Sequence, residues 1–596
     1  MKMKKILALL IFSCSFLVSS AQTEVMLQGF YWDSYSDTRW TKLEGQADEL
    51  ARYFDLIWVP NSGYCGSSNN MGYMPLYYFN QNSSFGTEAE LRSMIATFKE
   101  KGLGTIADVV INHHNTNGWF SFPVETYNGE TYQLQSTDIC RNDDGGSALT
   151  EATAQGISLS ANNDTGDDWN GCRDIDHKSA NVNKVVKAYL SFLLNDLGYT
   201  GFRYDMVKGY SASYTADYNT ASHPSFSVGE CWDGSTTIKR WIDGTKVDGV
   251  PTSSAFDFQF RYRVRDAVHQ NNWALLAGNA SDSGGYPLIY QENYRPYAVT
   301  FVENHDTEKR ANDNQDPLKA DTLAANAYLL AMPGTPCVFL KHWLNAKSDI
   351  KRMISARKLA GITTTSTYEQ VASASLYYGV KTTGTKGSLI CVVGKTPTAY
   401  TAPAGYTKVC SAADYIYYLD NTTAAGWQAV EDQIAAEVQA EKERQEQFEP
   451  YTATVYVKAD FTPVYFYIWD SNNNTQLNGN WPGKQPSTTT IDGETWYYQS
   501  VSITASDYYF NIIFNQGSGK PQTDDITNIT TDKYYTATIS SGKVQFTDVT
   551  ATVGIVAVQS DRSSSDGRIY NLMGVEVKQP VKGSIYIQNG KKYISE

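Results

Sequence analysis

From Glu24 to about Ile362, short apolar runs alternate with helical stretches, and no other pattern in the chain restricts its fold so sharply. Val25 to Tyr31, Leu56 to Pro60, Gly104 to Ile111, Tyr199 to Tyr204, Ser225 to Gly229, Ala298 to Val302 and Cys337 to Leu340 read as strands. Trp40 to Phe54, Thr87 to Lys101 and Asn183 to Asp196 read as helices between them, the last two closed by Gly102 and Gly198. Repeated βα units over roughly 350 residues favour a (β/α)8 barrel, although composition alone leaves a doubly wound sheet as competitor. The rhythm breaks between the third strand and about Cys172, which marks a loop-rich insertion. The barrel is therefore expected over residues 22–365, with the insertion at about 114–172.

Four runs deliver acids or histidines where they end. Gly104 to Ile111 carries Asp108 and leads into Asn112-His113. Gly201-Phe202-Arg203-Tyr204-Asp205 sets Arg203 and Asp205 two residues apart, Ser225 to Gly229 leads into Glu230, and Phe301-Val302 leads into Glu303-Asn304-His305-Asp306. Residues i and i+2 of a strand share a face, so Arg203 and Asp205 project together. The C-terminal ends of strands are where barrel enzymes keep charged groups that react. One R-x-D is an ordinary ion pair, and one acid after a strand is an ordinary helix N-cap. Four such ends in one chain indicate a site.

At 596 residues the chain exceeds one hydrophobic core, and about three or four domains are expected. Its 42 tyrosines and 13 tryptophans, against 19% charged residues, suit partners that are flat on one face and wet at the rim, as sugars are. A tyrosine-rich β protein would show the same composition. The net charge of −14 argues against a nucleic-acid partner and fits a neutral substrate. Basic Met1 to Lys5, apolar Ile6 to Val18 and small Ser19-Ser20-Ala21 mark residues 1–21 as a signal peptide, and Ile11-Phe12-Ser13 before Cys14 is a poor lipobox. Beyond it, no stretch is long and apolar enough to cross a membrane. The seven remaining cysteines are irregularly spaced and include no CxxC pair, which argues against a disulfide framework and a cysteine zinc site.

After the barrel the helical pattern stops. Residues 366–422 read as a small antiparallel β domain, and 423–449, rich in Ala, Glu and Gln, as a charged, solvated linker helix. Residues 450–549 read as a β-sandwich containing Trp469, Trp481 and Trp496, and 550–596 as a last small β segment.

The four strand ends match, in order, the signature regions of the α-amylase family, glycoside hydrolase family 13: D-x-x-x-N-H, G-F-R-x-D-x-x-K, a strand ending in Glu, and F-x-x-N-H-D. Gly72-Tyr73-Met74-Pro75, Asp174-Ile175-Asp176-His177, Lys208-Gly209-Tyr210-Ser211, Pro333-Gly334-Thr335-Pro336-Cys337 and Gly387-Ser388-Leu389-Ile390 resemble the plant-type and archaeal-type members. The resemblance runs from about Glu24 to Leu419. Glu303 departs from it, standing where many members have Asp.

The resemblance implies a retaining endo-hydrolase of α-1,4 bonds in starch, with Asp205 as nucleophile, Glu230 as acid/base and Asp306 gripping sugar hydroxyls of the distorted ring, assisted by His113 and His305. It implies that Arg203 orients Asp205, that Tyr73 stacks on the sugar, and that Lys208 and Trp232 line the leaving-group side. An apolar setting and neighbouring anions are expected to keep Glu230 protonated near neutrality. The insertion resembles the family's domain B, which implies calcium held by the side chains of Asn112, Asp164 and Asp174 and the carbonyls of Cys172 and Gly209. His113-His114 is no transition-metal pair, because adjacent residues of a strand face opposite ways.

Tyr465-Phe466-Tyr467-Ile468-Trp469 and Asn480-Trp481-Pro482-Gly483 resemble starch-binding modules of carbohydrate-binding family 26, with Tyr467, Trp469 and Trp481 as stacking residues. The tail, through Gly567 to Val575 and Gly583 to Ile587, is similar to a type IX secretion sorting domain, which implies contact with secretion machinery or the cell surface. A secreted monomer acting on an α-glucan is the resulting expectation. Debranching, maltogenic or transferase chemistry on the same acids, and a catalytically silent glucan-binding protein, are the alternatives.

Overall fold

Eight short parallel strands close into a barrel: β1 (Met26–Gln28), β2 (Leu56–Val59), β3 (Gly104–Val109), β4 (Gly201–Tyr204), β5 (Phe226–Gly229), β6 (Ser254–Phe256), β7 (Ala298–Thr300) and β8 (Thr335–Phe339). Each pairs with its neighbours in chain order, and β1 pairs with both β2 and β8. This computed structural model describes residues 24–67, 69–278, 285–310, 315–470, 475–505, 508–540, 542–553, 569–570, 585–588 and 591–594. The signal peptide expected at residues 1–21 lies outside them. Among the described residues no helix is long and apolar enough to cross a membrane.

The barrel expected from the sequence is present, and its strands are buried because apolar residues fill both faces, as in Leu56–Val59. The helix Glu88–Glu100 shows how the connections are specified. Thr87 and Glu90 form a reciprocal capping box, and Leu91, Met94, Ile95 and Phe98 make the buried stripe. Gly102, at φ +81°, then turns the chain into β3. One strand escaped the sequence reading: β6 has only three residues, two of them small, so no apolar run announces it.

The insertion after β3 is anchored at its base by a two-residue antiparallel ladder, His113 opposite Asp174 and His114 opposite Arg173. Following the barrel is a five-stranded antiparallel sheet in the order Thr367–Ala374, Tyr377–Thr383, Ser388–Gly394, Tyr415–Asp420, Tyr406–Ser411. Among the described residues seven cysteines are buried and unpaired.

The stretch read as a solvated linker is a helix, Trp427–Glu446, but its first half is docked. Trp427 and Ile434 are buried. Glu431 pairs with Arg352 at 2.8 Å, and Glu437 pairs with Lys351 at 2.6 Å and with Arg52. Two of the acids that suggested solvation, Glu431 and Glu437, have cationic partners on barrel helices distant in sequence.

A second unit begins at Phe448. Its sandwich has a five-stranded sheet (Ser487–Ile491, Glu494–Ile503, Tyr451–Ala459, Lys533–Ser540, Lys543–Asp548) and a three-stranded one (Tyr465–Asp470, Phe510–Asn515, Ile526–Ile529). Val455, Val457, Phe466, Ile468, Phe510, Ile512 and Phe514 fill its core. Tyr467 and Trp469 alternate with Phe466 and Ile468 and face outward, with Tyr467 centred 5.4 Å from Trp469 and 5.2 Å from Trp481. Trp481 is 42% exposed, whereas Trp496 is buried. In the tail, Ile569–Tyr570, Ile585–Gln588 and Lys591–Ile594 form an antiparallel sheet; most of the sorting-domain resemblance lies outside the described residues.

Candidate active site

The barrel's hydrogen-bond ladder places the acids. Asp108 of β3 lies directly opposite Arg203 of β4. One residue past its strand, Asp205 donates its N–H to Val109 O, and Glu230, one past β5, donates to Tyr204 O. The ladder thus extends one step beyond the strands and holds both acids at the same barrel rim.

Arg203 binds all three carboxylates from below. Nη1 meets Asp108 Oδ1 at 2.8 Å and Asp205 Oδ1 at 2.7 Å, and Nη2 meets Glu230 Oε1 at 3.0 Å. Arg203 is 1% exposed, Asp205 5% and Glu230 7%. Burial pushes Asp205 well above the usual carboxylate range, with Arg203 opposing and Glu230 and Asp108 adding to the rise. Burial likewise lifts Asp108 to about 6 against the pull of Arg203. The setting of Glu230 is less apolar than the sequence suggests: besides Arg203, the Met206 N–H donates to Oε2 at 3.1 Å. Met206 adopts φ +42° to do so, a left-handed conformation that a non-glycine residue rarely takes.

On the far side of the pocket, Gln28 donates to Nδ1 of His305 at 2.9 Å, which leaves the ring hydrogen on Nε2. That Nε2 lies 2.8 Å from Tyr73 OH and 3.1 Å from Asp306 Oδ2, and the Tyr73 hydroxyl donates to Asp108 at 3.0 Å. Burial first, then Arg203, holds His305 well below its ordinary range, so it is neutral. His113, also neutral with its value lowered by burial to about 4, donates from Nε2 to the Tyr73 carbonyl at 2.9 Å. Trp32 and Tyr73 are parallel, 6.1 Å between centroids.

These groups surround a cavity of about 370 Å³. Asp205, Glu230, Asp306, Tyr73, His113, Lys208, Trp232 and His305, all named from the sequence, line it, while Arg203 and Asp108 sit beneath. The structure adds Trp32 and Trp169 to the walls. Glu303 points elsewhere, to Leu318 N at 2.6 Å and His342 Nε2 at 2.9 Å.

The profile described as "Alpha amylase, catalytic domain" matches residues 54–342. "Probable alpha-amylase 2" of Arabidopsis thaliana is 31% identical over 376 residues, covering 60% of this chain and 85% of its own length. The chain belongs to the alpha-amylase family. It is a glycoside hydrolase of that family by the same similarity. "Alpha-amylase 3, chloroplastic" of Arabidopsis thaliana is 31% identical over 349 residues, 56% of this chain and 37% of that one. "Glucan 1,4-alpha-maltotetraohydrolase" of Stutzerimonas stutzeri is 28% identical over 379 residues, 57% and 62% respectively. This family member spans less than two thirds of either of the latter relatives.

Beside its pocket lies an acidic cluster at the base of the insertion. One carboxylate oxygen each from Asp143, Asp168 and Asp174 lies within 4.8 Å of the others. Asn112 Oδ1 and Asp164 Oδ2 are buried there and receive no hydrogen bond among the described residues. A Cβ on Gly209 would lie 1.8 Å from that same Asn112 oxygen, so only glycine fits. Burial and mutual repulsion lift Asp174 to about 9, and burial chiefly lifts Asp143 to about 7. Crowded oxygens with orphaned acceptors are the donor set of a hard divalent cation. Asn112, Asp164, Asp174 and Gly209, named from the sequence, meet here, and Cys172 precedes Arg173–Asp174. Asp143 and Asp168, not named as ligands from the sequence, are added by the structure.

Proposed function

We propose that this chain is a secreted α-amylase that hydrolyses internal α-1,4 bonds of starch with retention of configuration, Asp205 acting as nucleophile and Glu230 as acid/base. The observation that carries the proposal is the single guanidinium of Arg203 beneath Asp108, Asp205 and Glu230. Three buried carboxyls sharing one cation oppose one another's ionisation, and burial with the neighbouring carboxylates raises Asp205 and Asp108 against the pull of Arg203. One proton donor and one anion side by side are what retaining hydrolysis requires. Carboxyls on neighbouring nitrogens of one guanidinium suit the retaining separation of about 5 Å better than the roughly 6.5–9.5 Å of inverting pairs.

In this reading Glu230 gives its proton to the glycosidic oxygen as the bond to the anomeric carbon breaks. Asp205, with Oδ1 held by Arg203, attacks that carbon and forms a glycosyl ester. Glu230 then takes a proton from water, whose oxygen displaces Asp205. Asp306, held beside the Nε2–H of neutral His305, grips hydroxyls of the flattened ring, and Tyr73, tied to Asp108 and His305, packs against its face. Release of reducing ends from amylose, with pullulan left intact, tests the linkage specificity; cleavage of pullulan alone would favour a debranching enzyme.

We infer calcium for the acidic cluster, held by Asn112, Asp143, Asp164, Asp168 and Asp174 with the Gly209 and Cys172 carbonyls. Bound there, it would neutralise the repulsion and tie the insertion to the barrel. Excess chelator is expected to lower the melting temperature and to loosen the insertion, since a ligand of the folded state stabilises it by mass action. Calorimetry and limited proteolysis within residues 114–172 would show this. An unchanged melting curve, with no metal found by elemental analysis, contradicts it.

For the sandwich we propose starch binding through Tyr467, Trp469 and Trp481, supported by their outward cluster. Trp469→Ala with Trp481→Ala is expected to slow digestion of granular starch several-fold and to leave turnover of short maltooligosaccharides nearly unchanged, because tethering raises local substrate concentration without touching the chemistry. Equal losses on both substrates would instead assign these residues to stability. Export through the leader, with the tail engaging secretion machinery, completes the reading.

A further inference from the structure

Lys208 follows the nucleophile by three residues and lines the pocket with Glu230 and Trp232. Its ammonium is held from two sides. Asp167, in the insertion, meets Nζ at 3.1 Å, and Asp233, three residues past Glu230, meets it at 2.9 Å. Asp167 is fixed through its backbone and Asp233 through its carboxylate and carbonyl. The Asp167 N–H donates to Lys208 O at 2.9 Å, and a Cβ on Gly166 would lie 2.1 Å from that oxygen, so the insertion lies flat on the Lys208 backbone. Asp233 Oδ1 accepts the Gly234 N–H at 2.6 Å, and its carbonyl accepts from Gln259 at 3.2 Å.

The side chains of Lys208, Asp167 and Asp233 are 33%, 64% and 36% exposed, and ion pairs so exposed contribute little stability. What they supply is direction. A lysine ammonium has three donors on a flexible stem. Two carboxylates converging on it from the insertion and from the β5 loop use two donors and leave the third for a ligand in the cavity that Lys208 lines.

We propose that Asp167 and Asp233 are positioning residues that aim Lys208 at a sugar hydroxyl on the leaving-group side and so set where an α-glucan chain is cut. The inference rests on the glucanase reading above. Through Lys208, which lines the pocket, the two carboxylates link the insertion to the barrel, so specificity depends on a contact that neither part makes alone.

The test is steady-state kinetics and bond-cleavage analysis of the full chain on reducing-end-labelled maltoheptaose. Asp167→Asn and Asp233→Asn should each raise KM several-fold and shift the favoured bond, with kcat changed no more than about twofold. Asp233→Glu, which keeps a charge within reach, should restore the pattern. Lys208→Met should show a larger shift in the same direction, and adding either Asp substitution to it should change nothing further, since residues acting through one group are not additive. A cleavage pattern and KM equal to wild type in both Asp variants overturns the proposal, as do losses that add to those of Lys208→Met. No cleavage of maltoheptaose by the wild-type chain would instead remove the glucanase reading itself.

Discussion

Asp205→Asn is expected to lower turnover on amylose at least about 10⁴-fold while the protein stays folded and still binds starch, because the change removes the attacking charge and keeps the shape. The amide oxygen can still accept from Arg203 Nη1, which now meets Asp205 Oδ1 at 2.7 Å, so the ladder and the cavity should survive. Substrate contacts from Tyr73, His305 and Asp306 do not pass through Asp205, so binding should persist. Turnover by the variant on amylose, checked beside its far-UV spectrum and starch adsorption, measures this. A variant that keeps a tenth of wild-type turnover would remove Asp205 from the nucleophile's role.

Removing the cation beneath the acids should be nearly as severe and should reach stability as well. Arg203 is buried and bound to three carboxyls, and it lies 4.8 Å from the Trp58 ring. Breaking a buried pair by deleting one partner typically costs about 3–5 kcal/mol, since the remaining charges have no counterion. In Arg203→Leu the acids can escape only by taking up protons, which leaves no anion to attack. Turnover should therefore fall to background and the melting temperature by several degrees. Arg203→Lys should recover part of the stability and little of the activity, because one ammonium cannot reproduce a fork that reaches β3, β4 and β5 together. An Arg203→Leu protein that melts like wild type and retains a tenth of its activity contradicts this account of the site.

What the sequence reveals and hides follows from how far each signal extends along the chain. An acid ending an apolar run is a local feature, and Asp205, Glu230 and Asp306 are visible for that reason. Asp108 sits within such a run, and the register that sets it opposite Arg203 shows what it does in the site. Gln28 and Trp32, the residues that fix the His305 tautomer and extend the aromatic wall, lie near β1 with no charge or spacing to mark them. Asp143 begins a short 3₁₀ helix and Asp168 lies in a loop 25 positions later, and they meet through folding of the insertion. The docked helix is the opposite case. Its helicity is legible, but Arg52, Lys351 and Arg352, which decide its surroundings, come from elsewhere in the sequence.

Stereochemistry tests the central claim most directly. Proton NMR of maltoheptaose in the first minutes of digestion, before mutarotation equilibrates the products, reports the anomer released at the new reducing end. Two displacements at one carbon, first by Asp205 and then by water, return the original configuration, so the α-anomer should appear first. Initial release of the β-anomer would show a single displacement by water and would contradict a glycosyl ester on Asp205.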